Sequence, residues 1–231
     1  MPATTIQIPD TIRAALESDR RSTADIKRDA NRRHGELLAF YDIEPGQKVA
    51  ELMAGSCYVA GLLAEIVGDA GTVYATNSQQ LIDRFKGSPV RKLIDRHDLA
   101  NVVEVISEPD DPGLPEGELD VVCSFMIYHD MVWLGADRTA MNAAVFRALK
   151  PGGVYAVMDH HAPEGAGISV VQTTHRIEKD IVVDEVRAAG FDLEDESDLL
   201  EHPEDSMDAM VHEKSIRDRT HRFVLKFRKP A

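Results

Sequence analysis

The sequence has little of what holds small secreted folds or membrane proteins together. Cysteine occurs only twice in 231 residues, at Cys57 and Cys123, which excludes a disulfide framework and a structural zinc site built from thiolates. Aromatic residues make up only 6% of the chain, and no apolar run approaches the roughly 18 residues of a membrane span. The first ten residues lack the basic and apolar regions of a secretory signal, so we expect a cytoplasmic protein.

Basic residues are also scarce relative to acidic ones. Lysine and arginine total 26 against 40 aspartates and glutamates, which gives a formal net charge of −14 at pH 7. A surface of this sign repels phosphate backbones and anionic lipids, which argues against nucleic acid and membranes as partners. The chain is 43% hydrophobic and long enough for one domain, 1–231, with a buried core. We expect a small-molecule ligand. The sequence does not decide between a monomer and a homodimer.

Helix-like and strand-like segments alternate along most of the chain. Alternation of this kind predicts an α/β fold with a doubly wound, mostly parallel sheet. The predicted strands are 48–53, 72–76, 102–106, 119–126, 154–158, one starting at 191, and 222–227; the predicted helices are 58–67, 89–97, 137–149 and 176–189.

Two segments lie outside this alternation. Residues 1–44 form an extension before the core of residues 45–231, and apolar positions at helical spacing within 11–41 predict one or two helices there. These helices either pack on the core or cap its site. Residues 201–220 are polar and long for a connection in a compact α/β domain, so they form either a mobile lid or a solvated excursion.

The loop after the first predicted strand is where such a sheet binds its ligand. Its sequence is Glu51-Leu52-Met53-Ala54-Gly55-Ser56-Cys57-Tyr58. Gly55 lets the backbone turn and approach a ligand, and the helix starting near Tyr58 offers free N–H groups to an anion. Cys57 lies at that helix N-terminus, a position that lowers the pKa of a thiol, although a small residue in place of a glycine explains it as well.

This loop and the order of elements resemble the class I, Rossmann-like S-adenosylmethionine (SAM) methyltransferases, from about residue 35 to the end. The first motif of that family is an acidic residue at the end of strand one followed by Gly-x-Gly-x-Gly. Glu51 matches the acid and Gly55 the middle glycine, whereas Met53 and Cys57 replace the outer two. The resemblance implies a seven-stranded sheet with an antiparallel last strand, and SAM as the cofactor.

The resemblance also implies where SAM binds. The second motif is an acid that holds the ribose hydroxyls, and it falls on Asn77; the third is an acid that reaches the adenine amino group, and it falls on Glu108. Met53, Cys57 and Asn77 depart from the family pattern, all in the cofactor half. The predicted cofactor-binding residues are Glu51, Ala54, Gly55, Cys57, Tyr58, Asn77, Glu108, Pro109 and Phe125.

Histidines and aspartates follow the fourth and fifth predicted strands. His129 and Asp130 come after one strand, Asp159 and His160 end the next, and we predict that these four residues carry catalysis. A histidine near its ordinary pKa of ~6.5 would take the proton of an oxygen or nitrogen nucleophile. Together with His175 they suggest a metal site, but they contain no HxxxH or HxH pair, so the sequence predicts no metal.

The segments around these residues, such as Tyr128-His129-Asp130-Met131 and His175-Arg176-Ile177, are similar to a bacterial group described only as predicted methyltransferases. The sequence thus predicts a SAM-dependent methyltransferase acting on an unidentified small molecule. The alternative is a diverged methyltransferase fold with a non-methylating activity, or with a ligand-binding or dimerisation role and weak or no SAM binding. A nicotinamide-dependent dehydrogenase is disfavoured because Gly55 and Gly61 do not form its Gly-x-Gly-x-x-Gly turn.

Overall fold

The computed structural model describes residues 6–231. Its strands are β1 Lys48–Glu51, β2 Thr72–Asn77, β3 Val102–Ile106, β4 Leu119–Phe125, β5 Leu149–His160, β6 Asp192–Ser197 and β7 Arg222–Arg228. They form a seven-stranded sheet in the order β3-β2-β1-β4-β5-β7-β6. Neighbouring strands from β3 to β5 are parallel, and β7 is antiparallel to β5 and β6. The predicted doubly wound sheet and its antiparallel last strand are confirmed.

Helices connect the strands and cover both faces of the sheet. They are α1 Asp10–Leu16, α2 Thr23–Arg32, α3 His34–Phe40, α4 Tyr58–Val67, α5 Gln79–Arg84, α6 Pro89–His97, α7 Tyr128–Leu134, α8 Arg138–Ala148, α9 Val171–Thr174 and α10 Lys179–Ala188. Capping residues determine where several helices begin or end. Ser78 and Ser88 cap the starts of α5 and α6, and Gly135, with a left-handed backbone, ends α7. Within residues 6–231, no helix has the length and apolar character needed to cross a membrane.

Several boundaries differ from those predicted. β1 ends at Glu51 rather than at 53, because the backbone turns into the left-handed region at Met53. β5 begins at Leu149 rather than at 154, so residues 150–153 belong to the strand and do not precede it. His175 does not start a helix: it ends α9 in a left-handed conformation, and α10 begins at Lys179.

The extension before β1 contains three helices, and they differ in how they pack. Ile12 of α1 and Leu37 and Leu38 of α3 are fully buried and share a core cluster with residues of α4 and the sheet. Helix α2 buries none of its residues. Instead, it carries arginines to the carboxyl edge of the sheet, where the predicted site lies. The extension therefore both packs on the core and covers the site.

Candidate functional site

The loop after β1 has a left-handed backbone at three alternating positions. The φ angles are 48° at Met53, 56° at Gly55 and 64° at Cys57. Glycine adopts this conformation freely, whereas methionine and cysteine do so only at a cost in backbone strain. The two residues that replace glycine in the sequence pattern thus keep the backbone shape that glycine would allow.

β2 holds this loop in place through hydrogen bonds. The Met53 N–H donates to Oγ1 of Thr76 at 3.0 Å, and the Ala54 N–H donates to the Thr76 carbonyl at 2.8 Å. The Gly55 N–H donates to Oδ1 of Asn77 at 2.9 Å. Asn77 therefore fixes the loop with its oxygen and keeps its amide nitrogen for another partner.

Two buried polar atoms beside the loop have no hydrogen-bond partner. They are Oε2 of Glu51 and Nδ2 of Asn77, at the carboxyl ends of β1 and β2. Burial raises the pKa of Glu51 to about 8, and a backbone hydrogen bond from Ala60 offsets part of this effect. A Cβ built on Gly55 would meet nothing closer than 3.8 Å, so the space above the loop is open. Buried polar atoms that lack a hydrogen-bond partner and surround open space are typical of a ligand site.

Cys57 and Tyr58, both predicted to bind the cofactor, lie at the start of α4. Burial raises the pKa of the Cys57 thiol, so the expectation that the helix N-terminus lowers it was wrong. The Tyr58 hydroxyl donates a hydrogen bond to the Asp29 carboxylate of α2, and the Arg28 guanidinium lies 4.7 Å from the Tyr58 ring centroid. Tyr58 thereby ties the start of α4 to the helical extension.

The other predicted cofactor residues are distributed around the same edge. Glu108 and Pro109 lie in the loop after β3, and this loop adjoins Asn77 because the Ser107 N–H donates to the Asn77 carbonyl at 3.1 Å. The Glu108 side chain is exposed. Ala54 is buried within the loop, and Phe125 ends β4 with its ring stacked on Tyr41 at 5.5 Å.

The predicted catalytic residues form one cluster at the ends of β4 and β5. Asp159 is fully buried and accepts three hydrogen bonds: from Nδ1 of His129 at 2.6 Å, from the His129 N–H at 2.9 Å and from the His160 N–H at 2.7 Å. The other ring nitrogen of His129, Nε2, lies 3.2 Å from Oδ1 of Asp130. His129 is thus held between two carboxylates in the first turn of α7.

This arrangement changes the proton affinity of both histidines. Burial lowers the pKa of His129, but Asp159 and Asp130 outweigh that effect and raise it to about 10. Burial, with the positive charge of His129, holds the pKa of His160 well below its ordinary value. The expectation of a histidine base near its ordinary pKa was therefore wrong. At neutral pH, His129 is therefore a cation and His160 is neutral.

Two cavities meet at Asp130 and His212. The first, about 250 Å³, contains several basic side chains, and we call it the arginine cavity; its lining includes Arg28, Arg32, His129, Asp130, His160, His212, Arg217, Asp218 and Arg222. The second, about 390 Å³, we call the Met53 cavity; its lining includes Met53, Ser78, Leu81, Asp130, Trp133, His175 and His212. The position of these arginines could not be predicted from the sequence, because alternating charges on a helix usually face solvent.

Many of residues 201–220 are exposed, but part of this segment lines the site. Arg176 and Asp205, both buried, form an ion pair at 2.9 Å. Asp205 also accepts a hydrogen bond from the His221 N–H at 2.7 Å. These contacts anchor the segment and bring His212 and Arg217 to the cavity walls.

Comparisons with known proteins agree with this architecture. No family model matches the chain. An uncharacterised methyltransferase of Synechocystis is 32% identical over 125 residues, which span 52% of this chain and half, 50%, of that relative. A SAM-dependent methyltransferase from Aquifex aeolicus has a similar structure, with a TM-score of 0.63 at 14% identity over 94% of this chain and 97% of that one. The [4+2]-cyclase SpnF has a TM-score of 0.67 at 15% identity over 100% and 98%. The chain therefore has the Rossmann-like fold of the class I SAM-dependent methyltransferases.

Proposed function

We propose that the protein is a SAM-dependent methyltransferase that acts on a small anionic molecule. The observation that carries this proposal is the left-handed backbone at Met53, Gly55 and Cys57, which reproduces the shape of a glycine motif without two of its glycines. Hydrogen bonds from β2, rather than residue type, maintain that shape. A loop kept in this form despite its strain is best explained by a ligand that needs it.

The residues beside the loop fit SAM chemically. SAM supplies a methyl group on a positively charged sulfonium, together with a charged ammonium and two ribose hydroxyls. The Glu51 carboxyl has a free oxygen at the end of β1, and a nearby positive charge favours its ionised form. The free Nδ2 of Asn77 can donate to a hydroxyl oxygen at the end of β2. Glu51 and Asn77 would therefore hold the cofactor at its charged and ribose ends.

The arginine cavity favours a negatively charged methyl acceptor. Arg28, Arg32 and Arg217 line it in a protein whose net charge is −14. Guanidinium groups bind carboxylate and phosphate oxygens through paired hydrogen bonds. Burial raises the pKa of Asp130, at the junction of the two cavities, but His129 outweighs burial and holds this pKa below its ordinary value, so Asp130 stays ionised. Asp130 would receive the proton that an oxygen or nitrogen nucleophile loses during transfer.

Calorimetric titration with SAM, and separately with S-adenosylhomocysteine, tests the proposal. We expect binding in the micromolar range, about −8 kcal/mol. Gly55→Val should abolish binding, because a branched side chain at φ 56° fills the open space above the loop. Gly117→Val is the matched control, since Gly117 is also left-handed, at φ 67°, and has no atom within 4 Å of an added Cβ.

The two alternatives give different results. Wild-type affinity in Gly55→Val would show that the loop is not the SAM site. No heat and no thermal stabilisation of the wild type by SAM or S-adenosylhomocysteine would favour the diverged function. The similar fold of a [4+2]-cyclase is a reminder that this fold alone does not determine the reaction.

A further inference from the structure

Three side chains from two parts of the sequence, residues 129–130 and residue 175, converge at the junction of the two cavities. The ligand atoms of His129, Asp130 and His175 all lie within 4.8 Å of one another. Nε2 of His129 is 3.2 Å, and Nδ1 of His175 is 3.6 Å, from the same Asp130 oxygen. We propose that these residues bind one divalent transition-metal ion, of the kind represented by Zn²⁺, Fe²⁺ or Co²⁺.

The separations suit such an ion. Ligand atoms about 2.1 Å from zinc and at a tetrahedral angle to one another lie about 3.4 Å apart. The two distances to Asp130 fall on either side of this value. Two imidazoles with one carboxylate are a ligand set that binds zinc, iron and related ions, and not magnesium or calcium, which prefer oxygen ligands.

His175 provides an independent indication. Its Nδ1 atom is buried and makes no hydrogen bond. The residue also has a left-handed backbone, with φ 54°, at the end of α9. Trp133 lies over its ring, with the ring centroids 6.0 Å apart. An imidazole nitrogen held in this way, 3.6 Å from the Asp130 oxygen and without a hydrogen-bond partner, can donate its lone pair to an ion.

Asp159 supplies the outer support that a metal-binding histidine needs. It accepts the hydrogen of Nδ1 of His129 at 2.6 Å, which leaves Nε2 as the nitrogen directed at Asp130. Two backbone N–H groups fix the Asp159 carboxylate in turn. A carboxylate behind a histidine ligand orients the ring and raises its basicity. The ion would replace the proton on Nε2 of His129, and that proton would go to solvent.

The ion would lie between the two cavities. His129 faces the arginine cavity, His175 faces the Met53 cavity, and Asp130 lines both. Three protein ligands leave coordination positions open, which is typical of metal sites that bind a substrate or water. If the proposed function holds, an anionic acceptor would coordinate the ion there, and Asp130 would hold the ion rather than receive the proton of the acceptor. Metal binding itself does not depend on SAM.

Direct metal titration tests the inference. The full chain without an affinity tag is treated with EDTA, desalted and titrated with Co²⁺, and we expect visible absorption bands of a tetrahedral or five-coordinate ion. Zn²⁺ calorimetry should show one ion per chain. His175→Ala and Asp130→Asn should each weaken Zn²⁺ binding by on the order of 100-fold, and Asp159→Asn by about 10–100-fold. His97→Ala, at the end of α6, is the matched control and should bind as the wild type does.

Thermal unfolding establishes that each variant is folded before it is titrated. Absence of Co²⁺ absorption in the wild type, or Zn²⁺ binding that survives both His175→Ala and Asp130→Asn, would overturn the inference. Repeating the SAM titration in EDTA separates the two proposals. Metal binding without SAM binding rejects the methyltransferase proposal alone, and SAM binding without metal binding rejects the metal site alone.

Discussion

Replacing Glu51 with glutamine should stabilise the protein, and by an amount that increases with pH. Glu51 is buried, and its pKa rises from 4.5 to about 8 on folding. Between these two values the folded chain binds more protons than the unfolded chain, so the free energy of unfolding falls as pH rises. At about 1.4 kcal/mol per pKa unit, the cost of burying this carboxyl reaches about 5 kcal/mol above pH 8.

Glutamine keeps the size of the side chain and does not ionise. The difference in unfolding free energy between Glu51→Gln and the wild type should be close to zero near pH 4.5 and reach its full value above pH 8. Urea unfolding at several pH values measures it, and Glu17→Gln, at an exposed position, controls for loss of a carboxylate in general. A difference that stays constant from pH 5 to pH 8.5 would refute the reasoning. The same variant should bind SAM less tightly, because it cannot offer a negative charge.

Two further predictions concern buried groups away from the cofactor loop. Asp205→Asn leaves the fully buried Arg176 guanidinium without its counter-charge, so urea unfolding should show a loss of roughly 3–5 kcal/mol; a loss below about 1 kcal/mol would mean that the anchor of residues 201–220 lies elsewhere. Burial raises the pKa of both Cys57 and Cys123, so neither thiol should react quickly with a disulfide reagent at pH 8 until the chain is unfolded in urea. Rapid release of one equivalent of the reagent's chromophore from the native protein would contradict this.

Most of the fold could be predicted from the sequence because it depends on patterns that repeat along the chain. Apolar strands such as Leu119–Phe125 are covered on both faces and contain almost no charge, and helix α6 begins and ends at the predicted residues 89 and 97. The short helices α5, α7 and α9 were missed because six, seven and four residues do not establish a helical period. Tertiary contacts, not local propensity, stabilise helices of this length.

Only part of the candidate site could be predicted from the sequence. Strand order placed His129, Asp130, Asp159 and His160 at one edge, and this required no knowledge of side-chain positions. The sequence also grouped His175 with them, but it did not indicate that His175 lies 3.6 Å from Asp130, because 45 positions separate the two residues. Nor did it indicate the proton affinity of His129, which depends on two carboxylates within 3.2 Å. Charge environments of this kind arise only when the chain is folded.

The contacts that join β2 to the loop after β1 also constrain the order in which the molecule folds. The Met53 and Gly55 amides bind side chains of Thr76 and Asn77, which are more than 20 residues later in the chain. The two replaced glycines leave the loop no local preference for its native shape. The loop should therefore take that shape only after β1 and β2 have paired across the crossover helix α4. The cofactor-binding surface would then be a late product of folding rather than a nucleus for it.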